Sequence, residues 1–224
     1  MFPFSGLQRI DLDGADLSLD PAWLSRTEAD ALFDALLAGI AWETHRIRMF
    51  GRQVDSPRLS CWIGDPGTSY TYSRTRFEPH PWPAALMPLR ERLREALNID
   101  FNSVLANRYR HGRDAMGWHS DDEPELGPQP VIASVSLGAA RRFALKPRGM
   151  KSCDMKSHGT QSSGKKDGRL VLELPHGSLL VMRGDTQARY RHALPATARP
   201  VDERINLTFR RIVGVGAHDK PLSC

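Results

Sequence analysis

"RINLTFR", residues 204 to 210, alternates without a break. Arg204, Asn206, Thr208 and Arg210 are polar, while Ile205, Leu207 and Phe209 are apolar. Period two is the signature of a strand, whose successive side chains point to opposite faces. One face of this strand therefore belongs to an apolar core, and the other carries two guanidinium groups and two hydrogen-bonding side chains. Two arginines on one buried face need anions, because an uncompensated buried charge is very costly. A small dicarboxylate satisfies both, each guanidinium gripping one carboxylate through two parallel hydrogen bonds. A pair of structural bridges from arginine to Asp or Glu would satisfy them as well.

Working outward, "SVLANRY" (103–109), "VIASVSL" (131–137), "RFALK" (142–146), "LVLEL" (170–174) and "SLLVMR" (178–183) are further short strand patterns, bounded by Gly, Pro or charged turns. Asn107 and Tyr109 share one face of the first and add hydrogen-bonding groups there. Many short strands without helices between them predict a sandwich or barrel rather than a parallel α/β sheet. Upstream, "SRTEADALFDALLAGI" (25–40) predicts a helix. Ser25 can cap it, Glu28 can close a capping box, and Leu32, Phe33, Leu36 and Leu37 share a face. "PWPAALMPLRERLREALN" (81–98) predicts a second helix, with Leu86, Leu89, Leu93 and Leu97 as its apolar stripe and Pro81 and Pro83 ahead of it. The expected fold class is mainly β with flanking helices packed on one side of the β core. The 224 residues are expected to form a single domain without repeats.

Composition bounds the function. Hydrophobic content of 40% and charged content of 25% suit an ordinary globule. No apolar run approaches the ~20 residues needed to span a bilayer, so no membrane partner is expected. "MFPFSGLQRI" (1–10) lacks a basic start followed by an apolar core, so no signal peptide is expected either. Cys61, Cys153 and Cys224 have no short spacing, which argues against a disulfide framework and a cysteine-rich zinc site. A reducing compartment follows: cytoplasm in a bacterium, nucleus in a eukaryote. The net charge of +5 suits a polyanionic partner, whose counterions are released when its phosphates are neutralised. "KPRGMKSCDMKSHGTQSSGKKDG" (146–168) is too polar to offset its ordering entropy and predicts a mobile loop between two strands.

The chemistry sits in "GWHSDDE", residues 117 to 123. In an extended segment His119 and Asp121 point the same way and can share one metal. A third ligand must come from elsewhere, and two histidines plus one carboxylate on one face of an octahedron is the arrangement of non-haem Fe(II) oxygenases. Of the eight histidines, His192 in "RYRHALP" lies just ahead of the last strands, and His176 lies in the turn "LPHGSLL".

Taken together, "NRY", "HSDDE", "ASVSLGAARRF", "HGSLLVM", "HALP" and "RINLTFR", in that order, resemble the AlkB family of Fe(II)- and 2-oxoglutarate-dependent nucleic-acid dealkylases, and most of all its duplex-DNA repair branch. The resemblance runs from about Ile47 to Ile212. It implies a double-stranded β-helix (jelly-roll) core under an N-terminal nucleotide-recognition lid at about 45–80. It implies Fe(II), 2-oxoglutarate as co-substrate, and O2. His119, Asp121 and His192 match the family's iron ligands. Arg204 and Arg210 match its 2-oxoglutarate arginines, and Asn107, Tyr109 and Asn206 match further co-substrate contacts. Phe50, Arg58, Tyr70, Tyr72, Ser73 and Glu123 match substrate-side positions, Phe50 as a wedge filling the gap left by a flipped base. The implied activity is oxidative demethylation of N1-methyladenine and N3-methylcytosine in DNA or RNA, with succinate, CO2 and formaldehyde as products, by a monomer. A 2-oxoglutarate-dependent hydroxylase or demethylase of protein or lipid is the alternative, since it would keep the iron site but need no base-stacking aromatics.

Overall fold

The structure, a computed structural model, describes residues 6–49, 52–68, 70–72, 75–149 and 168–213, and the backbone alone at 47–49, 52–53, 70–72 and 75–77. In chain order the elements are β1 (Gln8–Ile10), β2 (Asp16–Asp20), α1 (Arg26–Gly39), β3 (Arg46–Met49), β4 (Arg52–Asp55), β5 (Leu59–Gly64), β6 (Tyr70–Tyr72), β7 (Thr75–Phe77), α2 (Met87–Leu97), β8 (Ser103–Tyr109), β9 (Met116–His119), β10 (Ile132–Gly138), β11 (Arg141–Pro147), β12 (Leu170–Leu174), β13 (Ser178–Arg183), α3 (Thr186–Arg189), β14 (Tyr190–Leu194) and β15 (Arg204–Arg210).

Two antiparallel sheets make the core. The larger has seven strands in the order β1-β2-β13-β10-β15-β8-β5, the smaller four in the order β12-β11-β14-β9. Period-two patterning assigns each strand's faces. On β13, Leu179 and Val181 join the cluster shared with the helices, while Leu180 and Met182 join the cluster that includes Phe143 and Leu145 of the smaller sheet. On β15, Ile205, Leu207 and Phe209 are fully buried in the helix-side cluster. Its four polar residues consequently face the space between the sheets. The result is the expected jelly roll with helices on one side.

The helices form where their sequences predict, except that α2 begins at Met87, after a 3-10 turn at Ala84–Leu86, rather than at the prolines. Ser25 accepts a hydrogen bond from the Glu28 backbone N–H at 3.3 Å, and the Glu28 carboxylate accepts one from the Ser25 backbone N–H at 2.8 Å, completing the capping box of α1. Leu86, Leu89, Leu93 and Leu97 are all buried. Asn98 ends α2 in the left-handed region at φ 54°, a conformation that Asn tolerates better than most residues.

Two features are absent from the sequence reading. The N-terminal β1 and β2 extend the larger sheet, β2 pairing with β13. The segment holding His192 is itself a strand, β14, so His192 lies inside a strand rather than ahead of one, while His119 ends the extended segment β9 as expected. The region expected to form the lid contains two hairpins, β3–β4 and β6–β7, flanking β5 at the edge of the larger sheet. Chain leading into and out of the hairpins is tied to β5: Glu43 and Ser60 exchange backbone hydrogen bonds, and the His80 backbone N–H donates to the Trp62 carbonyl at 2.8 Å. Phe50, Ser73 and residues 150–167 of the 146–168 loop lie outside the described residues. Among the described residues, no helix is long and apolar enough to cross a membrane.

Candidate active site

Strand register builds the centre. β9 and β14 are neighbours, and their pairing sets His119 opposite His192. Opposed residues of an antiparallel pair bring their side chains together, and here the two imidazole centroids are 4.2 Å apart. Asp121 follows two residues beyond His119, and one ligand atom from each of His119, Asp121 and His192 lies within 4.8 Å of the others. Two contacts hold the segment after β9: the Ser120 hydroxyl donates to the Tyr190 carbonyl at 2.8 Å, and the Asp121 backbone N–H donates to Gln187 Oε1 at 2.9 Å.

The donor set fits a divalent metal. His119 Nδ1 lies 2.8 Å from the Gly117 carbonyl. A carbonyl only accepts, so Nδ1 carries the proton and Nε2 keeps its lone pair for a metal. Burial, reinforced by the neighbouring His119, pushes the His192 imidazole down to about 3, although Asp121 opposes this. It is therefore neutral, as a ligand must be. Burial alone would raise the Asp121 carboxyl, but the Arg210 guanidinium outweighs it and holds the group below the ordinary carboxylate range. Asp121 Oδ1 accepts from Arg210 Nη2 at 2.5 Å. Its Oδ2 is buried without a hydrogen-bond partner among the described residues and lies 3.8 Å from His192 Nε2. A buried carboxylate oxygen beside an imidazole nitrogen fits a pair of metal ligands.

The polar wall belongs to the larger sheet. Register aligns Asn107, Asn206 and Ser136 across β8, β15 and β10. The Ser134 hydroxyl donates to Asn206 Oδ1 at 3.1 Å, and Asn206 Nδ2 donates to Thr208 Oγ1 at 2.9 Å. One cavity is lined jointly by the three metal-ligand candidates and by Asn107, Tyr109, Asn206 and Arg210, with Met116, Phe143 and Met182 as apolar walls.

Arg204 is not among the residues lining that cavity. It sits opposite Tyr109, which is, and it is fully buried. Its Nη1 donates to the Ala139 and Leu174 carbonyls and its Nη2 to the Ser136 hydroxyl at 2.7 Å, while Nε is buried without a partner among the described residues. Desolvation pushes this guanidinium down to about 10, so it stays charged at neutral pH.

The substrate-side positions are placed unevenly. Arg58 is buried, and its Nε donates to Asn107 Oδ1 at 2.6 Å and its Nη1 to the Ser56 hydroxyl at 3.0 Å. It braces a cavity wall from behind. Glu123 is half-buried at the start of the 124–126 turn, and its neighbour Asp122 is ion-paired with Arg148. Tyr70 and Tyr72 lie on β6, with their side chains outside the description. Sequence reasoning overlooked Ser120 and Gln187. Both act on backbone groups through contacts about 70 residues away in the chain, for which a sequence carries no local signal.

Comparisons with known proteins agree with this geometry. The model of the 2OG-Fe(II) oxygenase superfamily matches residues 16–210. Human alpha-ketoglutarate-dependent dioxygenase alkB homolog 3 is 36% identical over 215 residues, covering 91% of this chain and 72% of that protein. Mouse DNA oxidative demethylase ALKBH2 is 38% identical over 195 residues, covering 84% of this chain and 77% of that protein. The solved structure of OsALKBH1 aligns with a TM-score of 0.56 at 17% identity, covering 92% of this chain and 100% of that one. A 2OG-Fe(II) oxygenase family oxidoreductase from Burkholderia pseudomallei aligns with a TM-score of 0.54 at 16% identity, covering 87% and 84%. The two structural likenesses speak for the fold alone.

Asp121→Ala removes a metal ligand and the counter-ion of a buried arginine together. Two losses are expected: Mn(II) binding by titration, and unfolding stability, by about 3–5 kcal/mol. A variant that retained wild-type metal affinity would refute the ligand assignment.

Proposed function

The chain belongs to the 2OG-Fe(II) oxygenase superfamily, and from that premise we propose that it demethylates N-alkylated bases of nucleic acid by oxidation. N1-methyladenine and N3-methylcytosine in DNA are the proposed substrates, with RNA as a second polymer, and the chain acts as a monomer. One observation carries the reading: a single cavity joins a His-Asp-His cluster to a polar wall ending in Arg210, in a chain whose relatives include DNA oxidative demethylases.

When bound, Fe(II), 2-oxoglutarate and O2 supply the oxidising power, yielding succinate and CO2 and delivering one oxygen atom to the N-methyl carbon, which leaves as formaldehyde. The chain's own residues do the rest. His119, Asp121 and His192 would hold the metal. Arg210, Asn206, Tyr109 and Asn107 offer donors to the co-substrate, and Arg204 adds a buried cation beside Tyr109. Arg58 keeps Asn107 turned into the cavity. Met116, Phe143 and Met182 exclude water from the reacting carbon.

A methyl on the Watson–Crick edge is hidden inside a duplex, so the base must be flipped out. In this reading Phe50 fills the gap in the stack. Tyr72 and the His119 ring would hold the flipped base, and Tyr70 and Ser73 match further positions of the base pocket. Both proposed lesions are cationic, and Glu123 supplies a carboxylate two residues beyond Asp121.

Oligonucleotides carrying N1-methyladenine, offered as single-stranded DNA, duplex DNA and RNA, test the reading. Formaldehyde release matched by succinate is expected from DNA. Succinate without formaldehyde from any of the three would shift the substrate to protein or lipid. Arg210→Lys keeps the charge but loses the planar fork, so the 2-oxoglutarate requirement should rise strongly. An unchanged requirement in both this variant and Arg204→Lys would leave the dicarboxylate site unsupported. Phe50→Ala should impair duplex repair far more than single-strand repair, whereas Tyr72→Ala should impair both. Equal losses on the two substrates for Phe50→Ala, with a lower melting temperature, would make Phe50 a core residue instead.

A further inference from the structure

We infer that Gln187 is a positioning residue for the metal centre. Its carboxamide oxygen fixes the backbone of Asp121, and so the direction of the metal-binding carboxylate. The inference rests on His119, Asp121 and His192 being the iron ligands.

The strand ladder that places the two histidines stops short of Asp121. β9 ends at His119, and the β9–β14 register is last matched at the His119–His192 pair. Beyond it, Asp121 depends on side-chain contacts. One is Arg210 on its carboxylate, but that guanidinium is also a proposed co-substrate contact, so its position depends on what else is bound. The Gln187 contact is of another kind: it grips the Asp121 backbone N–H, which neither metal nor co-substrate competes for.

Gln187 is 2% exposed, and a buried carboxamide is retained only where its polar atoms are matched. Its Nε2 donates to the Met182 sulfur at 3.4 Å, and Met182 lines the cavity. Thioether sulfur is a weak acceptor. The amide orientation is therefore set by its oxygen, since the flipped amide would turn an N–H donor against the Asp121 N–H.

The base beneath Gln187 is firm. It belongs to the single turn α3, and the Thr186 hydroxyl in the same turn donates to the Arg183 carbonyl at 2.6 Å and accepts from the Asp16 backbone N–H of β2 at 2.9 Å. Gln129 Nε2 donates to Asp185 Oδ1 at 2.9 Å just ahead of it. The Ser120 hydroxyl is tied to Tyr190, the first residue after α3. A line of contacts thus runs from the N-terminal strand β2 through α3 to the metal-binding carboxylate. Partners that orient metal ligands in this way commonly contribute 10–100-fold to metal affinity.

Mn(II), which is redox-inert here, is titrated into the wild-type chain, Gln187→Leu and Gln187→Glu, and the metal-free melting temperature of each is recorded. Gln187→Leu keeps the volume and loses both polar atoms; Gln187→Glu keeps an oxygen at the same reach. Gln187→Leu should weaken Mn(II) binding by about 10–100-fold and alter the visible absorption of the Co(II)-loaded protein. Gln187→Glu should recover most of the affinity. Unchanged Mn(II) affinity in Gln187→Leu would overturn the inference. So would a loss that only tracks a lower melting temperature and is not recovered by Gln187→Glu, which would make Gln187 a structural filler. A wild-type chain that binds no Mn(II) would instead remove the iron-site reading itself.

Discussion

An ion pair spans the space between the two sheets. Arg210 on β15 of the seven-stranded sheet reaches Asp121, just beyond β9 of the four-stranded sheet, and both side chains are almost wholly buried. Two ions taken this far from water are kept only where each holds the other closely. A cation bound by Asp121, His119 and His192 changes that balance, because the carboxylate is then shared with the metal. Arg204, three steps of alternation back along β15, rests on two carbonyls and a hydroxyl, with no carboxylate among the described residues. Arg204 and Arg210 are thus two buried cations on one strand, and the family to which the chain belongs uses a dicarboxylate co-substrate, 2-oxoglutarate.

Much of this was legible in the chain, for a physical reason. Strand alternation and helix stripes are local patterns, so β8, β12 and β13 fall where their residues predict, as do the capped start of α1 and the leucine stripe of α2. His119 and Asp121 are two residues apart, so their pairing was suggested locally, although Asp121 lies beyond the end of β9 and is placed by Arg210 and Gln187. The partnership of His119 with His192 is not local: it is a register between strands 73 residues apart, with β10 to β13 between them in the chain. Only the family resemblance selected His192 from the eight histidines.

The unread parts share one property. β1 has only three residues, and both short strands are held in the larger sheet by their pairing, β2 with β13 and β1 with β2. Arg58 matches a substrate-side position, yet its guanidinium is spent on Asn107 and Ser56. Gln187, in "GDTQAR", reads as an ordinary polar turn. In each case the role is set by a group far away in the chain, which composition and spacing do not encode.

The same alternation that revealed β15 also protects its chemistry. A one-residue slip of a strand exchanges its two faces. Here it would carry Ile205, Leu207 and Phe209 out of the helix-side core and press two arginines into it. β15 is paired on both sides, in an unbroken register with β10 from Gly138–Arg204 to Ala133–Phe209 and with β8 along its full length. The helices α1 and α2 have no part in the cavity, but the apolar cluster they share with β15 is what makes the slipped register unaffordable. The outer, apolar half of the strand thereby fixes where the inner, polar half meets the His-Asp-His cluster on the side of the opposite sheet.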